Sequence, residues 1–396
     1  MIYLDNAATS YPKPEPVYQA LDRFARTSLA NPGRSGHRMA MEAERSLDDA
    51  RHALNQFFSG ESPARWVFTL NCTDALNIAV KGTVNPGDHV ITSDLEHNSI
   101  SRPLRKLELD GVITLTRLAS HDGYLDPADV RRALTPRTRL VALTHAANVL
   151  GTVQPIEEIA PIVREADALF LVDAAQSAGV VPIDLRRTPI DLLAFPGHKA
   201  LYGPTGTGAL YVGPRARPRI ESGESARLVR AWREGGTGGD SKNEVQPDLL
   251  PYFLEGGTPN VLGVAGLAAG VAWVLEKGVE ANRKHEVDLL QRVVDWVEGN
   301  ADGWKVAGRW DPATHVGALS LIVPDADVVH PQDVAGILDT SFHIAVRSGL
   351  HCAPYCHRRL GTFPDGTVRL SPGPFNTVEH IDALLHALTG ITAGML

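Results

Sequence analysis

The chain has 396 residues, 43% hydrophobic and 21% charged, with a formal net charge of −8. It is long enough for a large core and long for one compact unit, so two domains are expected; the composition excludes a disordered chain and the acidic balance a basic-faced nucleic-acid binder. No apolar run reaches the roughly 18 residues that span a bilayer, the opening MIYLDNAATS lacks the features of a signal peptide, and three cysteines make no disulfide framework; a cytoplasmic protein with reduced thiols is expected.

In chain order, MEAERSLDDARHALNQFF reads as an amphipathic helix and RWVFTL as a buried strand. DHVITS, RLVALTH, ALFLVD, DLLAFP and GALYVG are further short apolar runs, with PIEEIAPIVREA as a helix among them. Strands alternating with helices predict an α/β protein with a mostly parallel sheet. Residues 214–259 are polar and Gly-rich, a long ordered loop that carries the segment GGTGGDS. The run VLGVAGLAAGVAWVLEKGVEANRKHEVDLLQRVVDWVEGN has helical spacing and predicts long helices. ALSLIV, FHIAVR and TVRLS then read as strands and TVEHIDALLHALTGI as a closing helix. The expected division is a large α/β domain over 15–263 and a smaller α+β domain over 264–396, joined by the N-terminal arm 1–14.

Open α/β sheets bind ligands beyond the carboxyl ends of their strands. RWVFTL is followed by Asn71, Cys72, Thr73 and Asp74, and DHVITS by Glu96 and His97. RLVALTH leads to Asn148, ALFLVD ends on Asp173 with Gln176 a turn later, and DLLAFP leads to Gly197, His198 and Lys199. Singly, each is an ordinary loop hydrogen-bonder. Together they suit one cofactor. A lysine amine condenses with an aldehyde, and pyridoxal phosphate needs such a lysine plus an acid facing its pyridine nitrogen. Lys199 and Asp173 fill those roles. Thr73, at a helix start, offers a hydroxyl and a helix N-terminus to the phosphate. His198 adds a donor, His97 is positioned to stack on the ring, and Gln176 to reach the ring's 3-oxygen.

The segment VRSGLHCAPYCHRRLGT holds Cys352 and Cys356 beside His351 and His357. Its single Cys-x3-Cys has no second pair to complete a structural zinc site, so no metal is expected.

LVDAAQSAG followed by DLLAFPGHKALYGPTGTGALYVG, with YLDNAATSYPKP, LEHNS, HAANVLGTVQP and EGGTPN, resembles the class V family of pyridoxal-phosphate-dependent aminotransferase-fold enzymes end to end. Within it the chain is most similar to the cysteine desulfurases of the SufS and selenocysteine-lyase branch. The resemblance implies fold type I, a homodimer with its active site at the subunit interface, and Thr258 reaching the partner's phosphate. It implies conversion of L-cysteine to L-alanine, with Lys199 moving the Cα proton and the sulfur captured as a persulfide on Cys352 of RSGLHC. The thiolate needs a cationic or donor-rich neighbour to lower a free pKa near 8.5; Arg347 and His351 are the candidates. Arg369 of TVRLSPGPFNT matches the family's carboxylate-binding arginine, with Asn148 as a second contact. A sulfur-acceptor protein is a further implied partner.

The alternatives are selenocysteine lyase, or an aminotransferase, epimerase or C–S lyase acting on a small amino acid. Transamination, epimerisation and elimination need no thiol nucleophile. A non-catalytic scaffold is disfavoured, because Lys199, Asp173, His97 and Arg369 share no structural purpose. The chain departs from the family at Pro196, where many relatives carry a hydroxyl before Gly-His-Lys; Thr258 or a hydroxyl of the Gly-rich passage is the expected replacement. Cys72 is expected to pack beside the phosphate turn, Cys356 to be incidental, and His315 to cap a strand.

Overall fold

Runs of Val, Leu, Ile and Phe with both faces apolar form strands only where helices cover them on two sides, and that requirement organises this chain. The computed structural model describes residues 1–395 apart from 34–35, 219–227, 238–241, 243, 300–302 and 325–328. It opens with β1 (Ile2–Tyr3), α1 (Glu15–Thr27) and α2 (Arg38–Phe57), followed by β2 (Trp66–Thr69), α3 (Cys72–Thr83), β3 (Asp88–Ser93), α4 (Asn98–Leu109) and β4 (Ile113–Leu118). Next come α5 (Pro127–Ala133), β5 (Thr138–Thr144), α6 (Ile156–Glu165), β6 (Leu169–Asp173), β7 (Leu192–Pro196) and β8 (Gly208–Val212). A short pair, β9 (Arg217–Pro218) and β10 (Leu228–Val229), leads to α7 (Val261–Lys277) and α8 (Val279–Gly299). The last part holds β11 (Lys305–Val306), β12 (Leu319–Ile322), α9 (Pro331–Phe342), β13 (Ile344–Ala345), β14 (Arg347–Gly349), α10 (Pro354–Leu360), β15 (Thr367–Leu370) and α11 (Val378–Met395).

The large sheet has the order β2-β8-β7-β6-β5-β3-β4. Only β8 runs against its neighbours, so β2 points the same way as β3 to β7 and its carboxyl end opens on the same rim. The chain leaves β3 outward to β4 and returns to β5 on the other side, which makes the β3/β5 crevice the topological switch point. Phe58, Trp66, Phe170 and Phe195 pack on one face of the sheet; Leu76, Ile100, Leu140 and Leu171 pack on the other. Each strand read from an apolar run is present. β4 escaped that reading because ITLTRL is a half-exposed edge strand whose polar residues interrupt the apolar run.

A second, antiparallel sheet, β11-β12-β15-β14, packs its Leu319, Leu321 and Leu370 against Leu290 of α8, Leu338 of α9 and Leu384 of α11. β1 pairs in parallel with β13, and Asp5 bridges to Ser371, so the N-terminal arm is stitched into this layer. The expected long helices turn by 79° at Gly278, whose φ of 88° suits only glycine well. Among the described residues no single helix is long and apolar enough to cross a membrane. Of the segment GGTGGDS, residues 238–241 lie outside the described residues.

α7 packs against α1 and α2 through Val261 and Val264, beside Phe24, Ala43 and Leu47. Its Gly270 lies against the turn that follows Lys199: a Cβ there would sit 2.1 Å from the Leu201 carbonyl oxygen. Gly336, exposed in α9, has nothing within 4 Å of the same position. Gly336→Ala should therefore hold or raise the apparent Tm, in line with a helix gain of about 1 kcal/mol. Gly270→Ala should lower it, because overpacking of about 1–3 kcal/mol outweighs that gain. Thermal melts in which both variants behave alike would contradict this packing.

Candidate active site

Two of the strand ends lead into helix caps that present their polar residues to the rim. Asn71 caps α3, its side chain accepting the Asp74 N–H at 2.9 Å, and this starts a helix at Cys72 and Thr73. His97 caps α4: its Nδ1 accepts the Ser99 N–H at 3.1 Å, so the neutral ring carries its proton on Nε2. Burial, then Lys199 and Arg347, push the His97 pKa down to about 4 and keep the ring neutral. The Ser99 hydroxyl stands 2.8 Å from His97 Nδ1 and 2.8 Å from the Thr73 hydroxyl.

Asp173 closes β6 and is 2% exposed. Its Oδ1 accepts the Ala175 N–H at 2.9 Å and the Cys72 thiol at 3.5 Å, while burial raises its pKa. Burial likewise pushes the Cys72 thiol well up, so it acts as a neutral donor. Lys199 follows β7 on a turn clamped by the N-terminal arm. The His198 carbonyl accepts from Lys13 Nζ at 2.8 Å, the Ser10 N–H at 3.0 Å and the Thr9 hydroxyl at 3.1 Å. Burial, then Arg369, lower the Lys199 pKa to about 8, so near neutral pH an appreciable share of its amine is an unprotonated nucleophile. Gln176 donates to the Ala7 carbonyl at 3.0 Å.

On the opposite wall, Arg347 of β14 and Arg369 of β15 are register partners. Like charges directly opposed are unfavourable. Arg369, 1% exposed, binds Asp5 Oδ1 at 2.8 Å and donates to the Asn148 carbonyl at 3.1 Å, but its Nε is buried without a partner. Asn148 donates to the His351 carbonyl at 2.6 Å, leaving its buried Oδ1 unpartnered. With Asp5 bound to Arg369 alone, this wall calls for an anion.

Cys352 is half-buried, 3.7 Å from Arg347 Nη2. It and His351 both have left-handed backbone, with φ of 61° and 47°, a conformation unfavourable by about 1–2 kcal/mol per residue. Bonds from Asn98 N–H to the Cys352 carbonyl at 2.7 Å and from Asn148 to the His351 carbonyl hold that turn. The expectation that His351 could supply positive charge to the thiol is corrected. His351 is buried with its Nε2 on the Thr367 hydroxyl at 3.1 Å, and burial, then Arg369, depress its pKa to about 2. Arg347 is the cation beside the sulfur. Burial pushes the Cys356 thiol up to about 12, which removes it as a reactive partner.

Cys72, Thr73, His97, Asn148, Asp173, Gln176, His198, Lys199, Arg347 and Arg369 all line one cavity of about 200 Å³. Cys352 does not itself line the cavity; it lies behind Arg347, 3.7 Å from that guanidinium. Thr258 does not: it is exposed in a separate groove with Arg51, Tyr252 and Glu255. Pro196 lines the cavity, and the hydroxyls there come from Thr73, Ser99 and Thr144. Ser99 and Asp5 escaped the sequence reading, though each lies in a segment quoted for the resemblance, LEHNS and YLDNAATSYPKP.

Known proteins resemble this chain over essentially its whole length. The chain matches the family described as aminotransferase class-V over residues 2–384. It belongs to that family, whose members use pyridoxal phosphate. Among curated proteins it is 37% identical to a probable cysteine desulfurase of Methanothermobacter thermautotrophicus, over 100% of this chain and 95% of that one. It is 34% identical to a probable cysteine desulfurase of Halalkalibacterium halodurans, over 98% and 92%. Among solved structures, the apo cysteine desulfurase of Thermococcus onnurineus superposes with a TM-score of 0.86 at 32% identity, covering 99% of this chain and 95% of that one. The Escherichia coli cysteine desulfurase CsdA gives 0.84 at 29% identity, covering 100% and 95%. The fold is thus the type I fold of those structures, as expected.

Removing a cation beside Lys199 should let its amine hold a proton to higher pH. Arg369→Met is expected to move the Lys199 midpoint upward from about 8, and Arg347→Met to move it the same way by less. The check is the pH dependence of borohydride trapping of pyridoxal phosphate on Lys199, quantified by peptide mass spectrometry. A midpoint unmoved in Arg369→Met would contradict the assigned electrostatics.

Proposed function

We propose that this chain is a pyridoxal-phosphate-dependent cysteine desulfurase that converts L-cysteine to L-alanine and takes the sulfur onto Cys352 as a persulfide. The observation that carries the reading is a half-buried thiol 3.7 Å from Arg347, whose side chain lines the cavity that also holds Lys199, Asp173 and Arg369. The similarity to cysteine desulfurases over essentially the whole chain supports it.

The residues fit the cofactor. Lys199 offers a nucleophilic amine, Asp173 a buried carboxylate, and Thr73 and Ser99 paired hydroxyls at the starts of α3 and α4. His198 Nδ1, Asn148 Oδ1 and Arg369 Nε are buried polar atoms without partners, the mark of a site that expects polar ligands. Bound there, pyridoxal phosphate supplies an electron sink for the substrate's Cα. Lys199 would hold it covalently, Asp173 would face its ring nitrogen, and Thr73, Ser99 and His198 would receive its phosphate. Neutral His97 would lie on the ring face and Gln176 near the 3-oxygen. Cys72, donating to Asp173, tunes that carboxylate. Ser99 is the replacement for the hydroxyl missing at Pro196.

For the substrate, Arg369 Nε donates to the carboxylate, with the second Nδ2–H of Asn148 as a further donor and Arg347 adding positive charge. Lys199, with a pKa near 8, takes the Cα proton and returns one. The Cys352 thiolate attacks the substrate sulfur, so an S–S bond forms, the substrate C–S bond breaks, and its electron pair goes to the carbon that becomes the alanine methyl group. The Arg347 guanidinium, 3.7 Å from the sulfur, stands beside the thiolate that begins this step.

The same reading includes a homodimer in which Thr258 of one protomer serves the partner's phosphate, supported by its exposure and its distance from its own chain's cavity. It includes a sulfur-acceptor protein and a cytoplasmic location. We place the division between large and small domains at Gly278 and not at 263/264, because α7 packs with α1 and α2 while α8 packs with the small sheet.

Incubation with L-cysteine should yield alanine and a mass gain of about 32 Da, one sulfur, on the Cys352 peptide. Cys352→Ala should retain visible cofactor absorption but lose persulfide and sulfide release, whereas Lys199→Ala should lose all three. Unimpaired sulfide release from L-cysteine by Cys352→Ala would refute the persulfide route in favour of elimination.

A further inference from the structure

Behind the Lys199 turn lies a second cavity of about 30 Å³, with room for about two water molecules. Ala7, Ala175, Gln176 and Lys199 line both it and the larger cavity, so these four form the partition between them. Its far wall is made by Glu286 of α8, Val316 and Gly317. Arg283, one turn before Glu286, donates to the His315 carbonyl at 2.7 Å and the Pro312 carbonyl at 2.9 Å, which seats α8 against this stretch. The Glu286 carboxyl then lies so near Gly317 that a Cβ there would stand 2.3 Å from its Oε2.

Glu286 is 6% exposed, and among the described residues no hydrogen bond or ion pair reaches its carboxyl. An apolar residue would fill the place without the penalty of burying an unpaired acid, so packing gives no reason for it. Burial alone pushes its pKa up to about 8, the value at which Lys199 also titrates. Two groups so matched pass a proton in either direction with little loss of free energy. Tyr202 and Lys199 are the other titratable groups on this cavity. The Tyr202 phenol, pushed well up by burial and then by Glu286, stays protonated.

The desulfurase reaction needs a proton beyond the one that Lys199 takes from Cα and gives back, because Cβ becomes a methyl group. The Cys352 thiolate, the cysteine thiol and one proton give the persulfide and alanine. Cβ takes up the electron pair of the broken C–S bond, and that pair needs the proton. His97 and His198, each with a pKa of about 4, are neutral and hold no acidic proton to spare. With cofactor and substrate filling the larger cavity, the smaller one is where water still meets Lys199. We propose that Glu286, through water in the cavity behind Lys199, supplies that proton to the Lys199 amine and recovers one from solvent between turnovers. This deepens the desulfurase reading and rests on it; Glu286 acts through Lys199 and touches no reacting atom.

The test follows L-alanine on the holoenzyme in D2O by proton NMR, because its Cα–H exchanges only when Lys199 trades the proton it has taken for a deuteron. Wild type is compared with Glu286→Gln, which keeps the shape but not the acid, and with Val180→Ile, which adds a methylene group to the cavity wall and displaces water. Both variants should exchange at least about tenfold more slowly. Their L-alanine affinity, read from cofactor absorbance, should stay within about twofold of wild type. In the apoprotein, infrared spectra should show a protonated-carboxyl band that titrates near pH 8 and is missing from Glu286→Gln. The band of Glu96, whose pKa burial also pushes up to about 8, should remain as the reference. No exchange in wild type, undiminished exchange in either variant, loss of L-alanine binding in Glu286→Gln, or no carboxyl band removed by that substitution would overturn the proposal. The exchange involves no sulfur, so absence of a persulfide on Cys352 would refute the desulfurase reading and leave the proton route to be decided by the exchange rates.

Discussion

The Arg369 guanidinium is where three parts of the chain meet. It projects from the small sheet, pairs with Asp5 of the N-terminal arm and donates to the Asn148 carbonyl beyond β5 of the large sheet. Burying a charge costs several kcal/mol even after the protein relaxes, and excellent geometry is needed to recover it. Here the recovery is incomplete, because Nε stays buried and unpartnered, a standing cost of about 1–3 kcal/mol. In the proposed reaction a substrate carboxylate would remove that cost on arrival. The interaction that joins the arm and the two sheets therefore also creates the demand for the ligand.

Desolvation sets the protonation of the rest. It keeps His97 and His198 neutral, holds Lys199 near 8, raises the Asp173 carboxyl and leaves Cys72 a thiol. Besides Lys199, still mostly protonated at neutral pH, the cavity's positive charge sits on Arg347 and Arg369, on the side where the proposed reaction needs a carboxylate and a thiolate. Cys352 is carried there on left-handed backbone that only the surrounding bonds make tenable.

Much of this was legible from residues at strand ends, because parallel strands place their carboxyl ends on one rim whatever the tertiary detail. Arg369 was legible only through the family resemblance; alone it reads as a surface ion pair. The register that opposes it to Arg347 depends on strand pairing across the small sheet, which no local pattern encodes. His351 misled for the same reason: adjacency to Cys352 in sequence says nothing of which way a ring turns, and in a left-handed turn it turns to Thr367. Ser99 and Asp5 sat in quoted motifs, yet their partners come from distant segments. Strand β4 was lost because a half-exposed edge strand has no continuous apolar run.

The claim on which this account turns is that a ligand's carboxylate completes the hydrogen bonding of Arg369. Binding of L-alanine and of ethylamine, which lacks the carboxylate, can be titrated spectroscopically on the holoenzyme and on Arg369→Lys, a change that keeps the charge beside Asp5 but loses Nε. The account predicts a coupling of about 1.5–3 kcal/mol between the carboxylate and the guanidinium, the range for hydrogen bonds to charged groups. A coupling within about 0.5 kcal/mol of zero, the scatter of independent sites, would mean that the carboxylate is recognised elsewhere.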